Sequence, residues 1–115
     1  MMAAKKIYLQ PSEVVFRGML DLMDAQGAEP QTENAEGRTL QLSVKMFDTL
    51  WPLRFAAERI DQTRCQAALE ASMEDEPDED MRENKRALAE IVLRREFAML
   101  DAMLLIGTPL EAVYR

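Results

Sequence analysis

The amino-acid sequence predicts a mainly α-helical protein, a small bundle formed by one domain that spans residues 1–115. Apolar residues recur at three- and four-residue steps along 11–26 and 78–106, and residues 53–73 contain neither glycine nor proline. These observations predict an antiparallel helical hairpin, formed by about 48–73 and 78–106, that packs against an N-terminal helix at about 11–26. A length of 115 residues is typical of one domain.

The N-terminal helix has recognisable ends. Pro11 suits a first helical position, Ser12 can cap the helix, and Gly27 is a natural stop. Gly18 lies inside the helix, where it costs about 1 kcal/mol relative to alanine, and close approach of another helix would explain it. The apolar face of this helix consists of Val15, Phe16, Met19, Leu20, Leu22 and Met23.

Residues 38–47 are ambiguous between strand and helix. Apolar and polar side chains alternate there, which is typical of a half-buried strand, and Ile7 and Leu9 show a shorter version of the same pattern. A minor two-stranded β element, pairing 7–9 with 39–46, therefore remains open, with the first helix as its crossover. Helical spacing also fits part of the stretch, through Leu40, Val44, Phe47 and Trp51, but we favour the strand.

The predicted hairpin begins at Asp48 or Thr49, either of which can cap a helix, and Pro52 falls in the first turn, where its missing N–H costs little. An alanine-rich stripe would let another helix approach closely. This stripe consists of Leu53, Ala56, Ala57, Ile60, Ala67, Ala68 and Ala71.

The second helix of the hairpin becomes apolar nearly all round between Phe97 and Ile106. Such a segment lies either at the centre of a bundle or against another chain. Gly107 is expected to end this helix, and the sequence 108–111 forms a capping box that opens a short terminal helix.

Charge and composition exclude several functions. The chain has 14 basic and 21 acidic residues, a formal net charge of −7 and no histidine, so histidine-dependent hydrolysis and histidine-ligated zinc are excluded. Its single cysteine, Cys65, cannot form an internal disulfide. Eight acids lie between residues 70 and 83, which leaves the rest of the chain neutral. Without a membrane-helix or signal-peptide pattern, we expect a cytoplasmic protein.

The function expected from these features is that of a non-enzymatic protein–protein interaction module, such as a small bacterial or phage-type adaptor, assembly chaperone, complex subunit or inhibitor. An apolar helix face would bury against a partner or a second copy, while an acidic loop steers a basic surface towards it. The candidate face is Phe97, Met99, Leu100, Met103 and Leu104, and the candidate loop residues are Asp75, Glu76, Asp78, Glu79 and Asp80. We expect another protein, or a homodimer, as the partner, with no direct nucleic-acid or membrane contact. No catalytic residue, metal or cofactor is predicted.

Two alternatives remain. Clustered carboxylates could imitate the phosphates of a nucleic acid and inhibit a nucleic-acid-binding protein. Carboxylate pairs three residues apart on facing helices could instead hold Mg²⁺ in an all-α phosphohydrolase, because Mg²⁺ prefers oxygen ligands. These pairs are Glu58 with Asp61 and Asp80 with Glu83.

Overall fold

An antiparallel β-sheet with two helices on one of its faces makes up the described part of the protein. The computed structural model describes residues 2–28, 32–34, 36–72 and 78–106. Within them the sheet has five strands, in the order β1-β5-β4-β3-β2. Along the chain the elements are β1 (Met2–Tyr8), α1 (Ser12–Gln26), β2 (Thr32–Asn34), β3 (Thr39–Met46), β4 (Thr49–Arg59), β5 (Cys65–Ala71) and α2 (Glu79–Ile106).

The prediction of a mainly α-helical bundle is wrong, because the predicted helix at 48–73 is the β4–β5 hairpin. Alternate side chains of the two strands are buried beneath the helices, with a period of two that small alanines obscure in the sequence. Packing on the sheet overrides the high helix propensity of alanine. The buried positions are Trp51, Leu53, Phe55, Ala57, Cys65, Ala67, Leu69 and Ala71.

Both turns that shape this region lack glycine. Phe47 and Asp48 connect β3 to β4 with positive φ angles of 57° and 55°, a geometry that usually selects Asn-Gly. The side chain of Asp61 builds the next turn: its Oδ1 accepts the Thr63 N–H at 2.9 Å, and its Oδ2 accepts Arg64 Nε–H at 2.8 Å. Those bonds, led by the one from Arg64, lower the pKa of Asp61 to about 2.

Pro52 lies inside β4 instead of opening a helix. Residue Leu53 of β4 pairs with Ala71, the last residue of β5, so Pro52 lies opposite Ser72, just beyond that strand. Its missing N–H therefore removes no bond from the β4–β5 ladder, which makes proline acceptable in a strand.

The two helices and the strand at 39–46 are confirmed by the structure. The N-terminal strand is also present, but β1 pairs with β5 and not with the strand at 39–46. Gly27 ends α1 with φ of 71°, as expected, whereas Ser12 does not cap it. Pro11 holds the capping position, and the Ser12 hydroxyl is buried without a partner among the described residues.

Gly18 lies where α1 packs closely against α2. A Cβ added there would lie 2.7 Å from Leu104 Cδ2 and 3.4 Å from Leu100 Cδ1. The expected explanation for this glycine, a close helix contact, is therefore confirmed. No helix in the described ranges is both long and apolar enough to cross a membrane.

Candidate functional site

A cavity of about 470 Å³ opens where the end of α1, the strand β3 and the middle of α2 meet. Its volume falls within the range of about 300–1,000 Å³ that small-molecule sites occupy. Apolar and polar groups both line it. The lining residues are Ala25, Gln26, Gly27, Ala28, Ser43, Val44, Lys45, Met46, Leu50, Val92, Arg95, Glu96 and Met99.

The α2 side of the cavity follows from helical spacing. Val92, Glu96 and Met99 are four and three residues apart, so one helix face carries all three towards the cavity. Val92 and Glu96 are buried and Met99 is half-buried.

The β3 side of the cavity presents backbone groups. Ala57 N–H donates to the Arg38 carbonyl at 2.9 Å. Because hydrogen-bonded pairs alternate along an antiparallel ladder, the even-numbered residues of β3 are the ones whose backbone groups bond to β4. Ser43 and Lys45, which line the cavity, consequently direct their N–H and C=O groups away from β4.

Glu96 is the polar centre of the cavity. Its side chain is only 2% exposed, and its Oε1 accepts a hydrogen bond from Gln26 Nε2 at 3.1 Å. Burial raises the pKa of this carboxyl above its ordinary value, and the bond from Gln26 and the charge of Arg95 only partly oppose that rise. The second oxygen, Oε2, has no hydrogen-bond partner within the described ranges. A carboxyl in this state can donate or accept a hydrogen bond inside a cavity.

Another, smaller cavity of about 250 Å³ lies between the first half of α2 and the start of β4. Leu88 lies on its wall, one helical turn before Val92, and the buried Trp51 forms part of the opposite side. Trp51 Nε1 donates to the Met46 carbonyl at 2.9 Å, so its polar atom is satisfied and its ring is presented as an apolar surface.

The structure places most of the predicted apolar contact face inside the protein. Phe97, Leu100 and Leu104 are buried in the core, and Met99 and Met103 are half-buried against it. Burial within the chain leaves little of this face for a partner. Met99 is the member of the set that lines the cavity.

The predicted acidic loop is described only in part. Asp78, Glu79 and Asp80 are exposed at the start of α2, where Asp78 accepts the Asp80 N–H at 3.0 Å and thereby caps the helix. Asp75 and Glu76 lie outside the described residues, as does the predicted terminal helix beyond residue 106.

The predicted carboxylate pairs do not face one another across a helical hairpin. Glu58 is the penultimate residue of β4, and Asp61 is held in a turn by Arg64. Asp80 and Glu83 are exposed near the start of α2. Among the described residues, no group of three or more acidic or cysteine side chains is arranged to hold a metal ion.

Sequence reasoning missed Glu96 and Gln26. One signal was present, because Glu96 lies four residues from both Val92 and Leu100 and so shares their apolar face. A carboxyl on the buried stripe of a helix is uncommon enough to mark a site. Gln26, by contrast, meets Glu96 only through the tertiary fold.

A separate polar cluster ties β1 to α2. Asp101 accepts hydrogen bonds from the Lys6 ammonium and from the Tyr8 hydroxyl, the latter at 2.6 Å. Burial and the adjacent Asp101 raise the pKa of Tyr8 well above its usual value. These bonds join the edge strand β1 to α2.

Comparison with known proteins relates the chain to others by its fold. No protein-family model matches it, and no curated protein sequence matches it. Among solved structures, the di-domain ARO/CYC BexL from the BE-7585A biosynthetic pathway is similar, with a TM-score of 0.61, 14% identity and coverage of 95% of this chain. The chain spans about half of BexL, 48% of its length.

Two further structures match over nearly their whole lengths. TTHA0849 from Thermus thermophilus gives a TM-score of 0.59 at 11% identity, covering 94% of this chain and 99% of that protein. Ara h 8.0201 gives 0.55 at 9% identity, covering 90% and 96% respectively. These similarities concern the fold, an α+β arrangement of an antiparallel sheet with two helices.

Proposed function

We propose that this protein binds a small amphipathic organic molecule in the cavity between α1, β3 and α2, and that it does so without converting that molecule chemically. One observation carries the proposal: a cavity of about 470 Å³ contains a buried carboxyl, Glu96, with an oxygen that no described residue occupies. Ligand sites typically place a few polar groups in largely apolar walls, so a carboxyl oxygen in the cavity that no described residue bonds favours a ligand.

The composition of the walls supports the same proposal. Val44, Met46, Val92 and Met99 offer apolar surface, whereas Glu96 offers a hydrogen bond. Ligand sites typically combine apolar walls with a few placed polar groups. The origin of BexL in a biosynthetic pathway is consistent with a small-molecule ligand for this fold.

Binding without conversion is the part of the proposal that comes from the sequence. The chain has no histidine, and the other titratable groups that line the cavity with Glu96 are Lys45 and Arg95. The expected role as a protein-interaction module stays a prediction, and most of its apolar face lies in the core.

Fluorescence of the neutral dye N-phenyl-1-naphthylamine tests the proposal. We expect saturable binding to the wild type at one site, and weakening of about tenfold in Met99→Phe, because a larger side chain fills the cavity. Met103→Phe is the matched control, since Met103 is also a half-buried methionine of α2 but does not line the cavity.

Absence of saturable dye binding, or equal loss in the two methionine variants, would contradict a ligand site at this cavity. The second part of the proposal is that the bound molecule is not converted chemically. Mass spectrometry of the bound compounds recovered after incubation with the protein tests it. A product of changed mass that the wild type forms and Met99→Phe does not form would show that the protein is an enzyme.

A further inference from the structure

We infer that the ligand is an apolar molecule with one carboxylate, and that Glu96 and Arg95 hold this head group at the polar side of the cavity. The inference rests on the proposed function and adds the chemical class of the ligand. It depends on the arrangement of charge around Glu96.

Arg95 is an exposed cation at the rim of the cavity that it lines, and it has no ion-pair partner among the described residues. Its neighbour Arg94 provides a contrast, because Arg94 Nη2 lies 2.5 Å from Glu90 Oε1 on the same helix. Arg95 therefore remains available to pair with an anion, and guanidinium groups bind carboxylates strongly.

Glu96 lines the same cavity as Arg95 and has hydrogen-bonding capacity left for a ligand. Gln26 donates to Oε1, which leaves Oε2 as the atom that can meet a ligand. If Glu96 is protonated, Oε2 carries the proton and donates; if it is ionised, Oε2 accepts.

The charges that face Glu96 decide between these two states. Arg95 faces it from α2 and Lys45 lines the cavity from β3, whereas α1 contributes only the neutral residues 25–28. An ammonium ligand would meet like charge and would require a buried, ionised carboxylate. A carboxylate ligand meets Arg95 and a protonated Glu96, the state that burial already favours.

Proton linkage follows from this arrangement. At a pH above the pKa of Glu96, binding of the carboxylate requires uptake of one proton by Glu96. Affinity for a carboxylate should therefore fall by up to about tenfold for each unit of further pH increase. Binding of an alcohol of the same length should depend much less on pH.

Competition with the bound dye tests the ligand class. The probes are decanoate, decanol and decylammonium, which share one chain and differ in the head group, used below the concentrations at which they form micelles. At about pH 7 we expect decanoate to bind about tenfold more tightly than decanol, and decylammonium to bind most weakly.

Three variants separate the contributions. Arg95→Gln should weaken decanoate about tenfold and leave decanol unchanged, while the control Arg94→Gln should alter neither. Glu96→Gln keeps an N–H donor without a titrating group, so it should bind decanoate with no change from about pH 6 to about pH 8.5.

Tighter binding of decylammonium than of decanoate, or equal binding of decanoate and decanol, would overturn the carboxylate inference. So would failure of all three probes to displace a dye that binds in the cavity. If the dye itself does not bind saturably, the proposed function fails first, so the two failures are distinguishable.

Discussion

Substitution of Gly18 by alanine should destabilise the protein, although alanine is the better helix former. The propensity gain in a helix interior is about 1 kcal/mol. Against it stands the 2.7 Å separation between the added Cβ and Leu104 Cδ2, because non-bonded carbons are most stable at about 3.5–4.0 Å apart. Relieving that overlap requires a shift of about 1 Å.

Leu104 lies in the core, so its side chain would shift into neighbouring groups. Overpacking of a core costs about 1–3 kcal/mol. Subtracting the propensity gain, we expect Gly18→Ala to lower the free energy of unfolding by about 1 kcal/mol.

A double-mutant cycle isolates the clash. Valine has no δ carbons, so Leu104→Val removes the atom that lies 2.7 Å from the added Cβ. In that background Gly18→Ala should stabilise by about 1 kcal/mol, which gives a coupling of about 2 kcal/mol. Arg17→Ala, at the adjacent exposed position, should respond equally in both backgrounds.

Urea unfolding followed by fluorescence measures all of these free energies, because the chain contains one tryptophan and Trp51 is buried. The reasoning is refuted if Gly18→Ala stabilises the wild type and the Leu104→Val variant by the same amount. That result would mean that α1 and α2 do not approach closely at Gly18.

Three further predictions concern the titratable side chains of Glu96, Asp101 and Cys65. The pKa of Glu96 is raised in the folded state, so the free energy of unfolding of the wild type should fall as pH rises from about 4.5 through that pKa. Over the same range Glu96→Gln should become more stable relative to the wild type, by about 1.4 kcal/mol for each pH unit by which the pKa is raised. Urea unfolding at several pH values measures both proteins, and a difference between them that does not change with pH would contradict this prediction. Asp101→Asn should lower the free energy of unfolding by about 1–2 kcal/mol, because the hydrogen bonds that Asp101 accepts from Lys6 and Tyr8 weaken. Thermal unfolding measures this loss, and Tyr8→Phe, which removes one of the two bonds, should reproduce only part of it. Cys65 is buried, and burial raises the pKa of its thiol, so a disulfide reagent should label it only when the protein unfolds. Rapid labelling of the folded protein would contradict this prediction, because it would show that the thiol is accessible.

Sequence periodicity predicted the elements whose patterns were long and unambiguous. α1 and α2 lie where apolar spacing placed them, and β3 covers the stretch in which apolar and polar residues alternate. The side chains that pack in these elements are large, so their periods are easily recognised.

The β4–β5 hairpin could not be recognised for two physical reasons. The turn within it depends on the Asp61 side chain, and the turn that leads into it from β3 depends on positive φ at Phe47 and Asp48, so neither turn has a glycine signal. Ala67 and Ala71 occupy buried positions that larger apolar side chains usually occupy in a strand. The alternation of apolar and polar residues is therefore weak in the sequence, and the alanines resemble the apolar face of a helix. Pro52 reinforced the error, since its tolerance in β4 depends on where β5 ends.

The candidate site was missed because its parts meet only through the sheet and the helices. Glu96 shared an apolar face with Val92 and could have been noticed, but Gln26 and β3 reach it from distant parts of the chain. A pattern within one element cannot show which other element supplies a hydrogen bond.

The pairing of β1 with β5 has a consequence for synthesis. Met2 pairs with Ala71, so the strand of this sheet that the ribosome makes first has no partner until the strand made last has emerged. Contacts between residues so far apart in sequence slow folding, because a long loop must close first. The sheet should therefore be completed only after β5 has emerged, and until then β1 is a free strand that other chains can pair with.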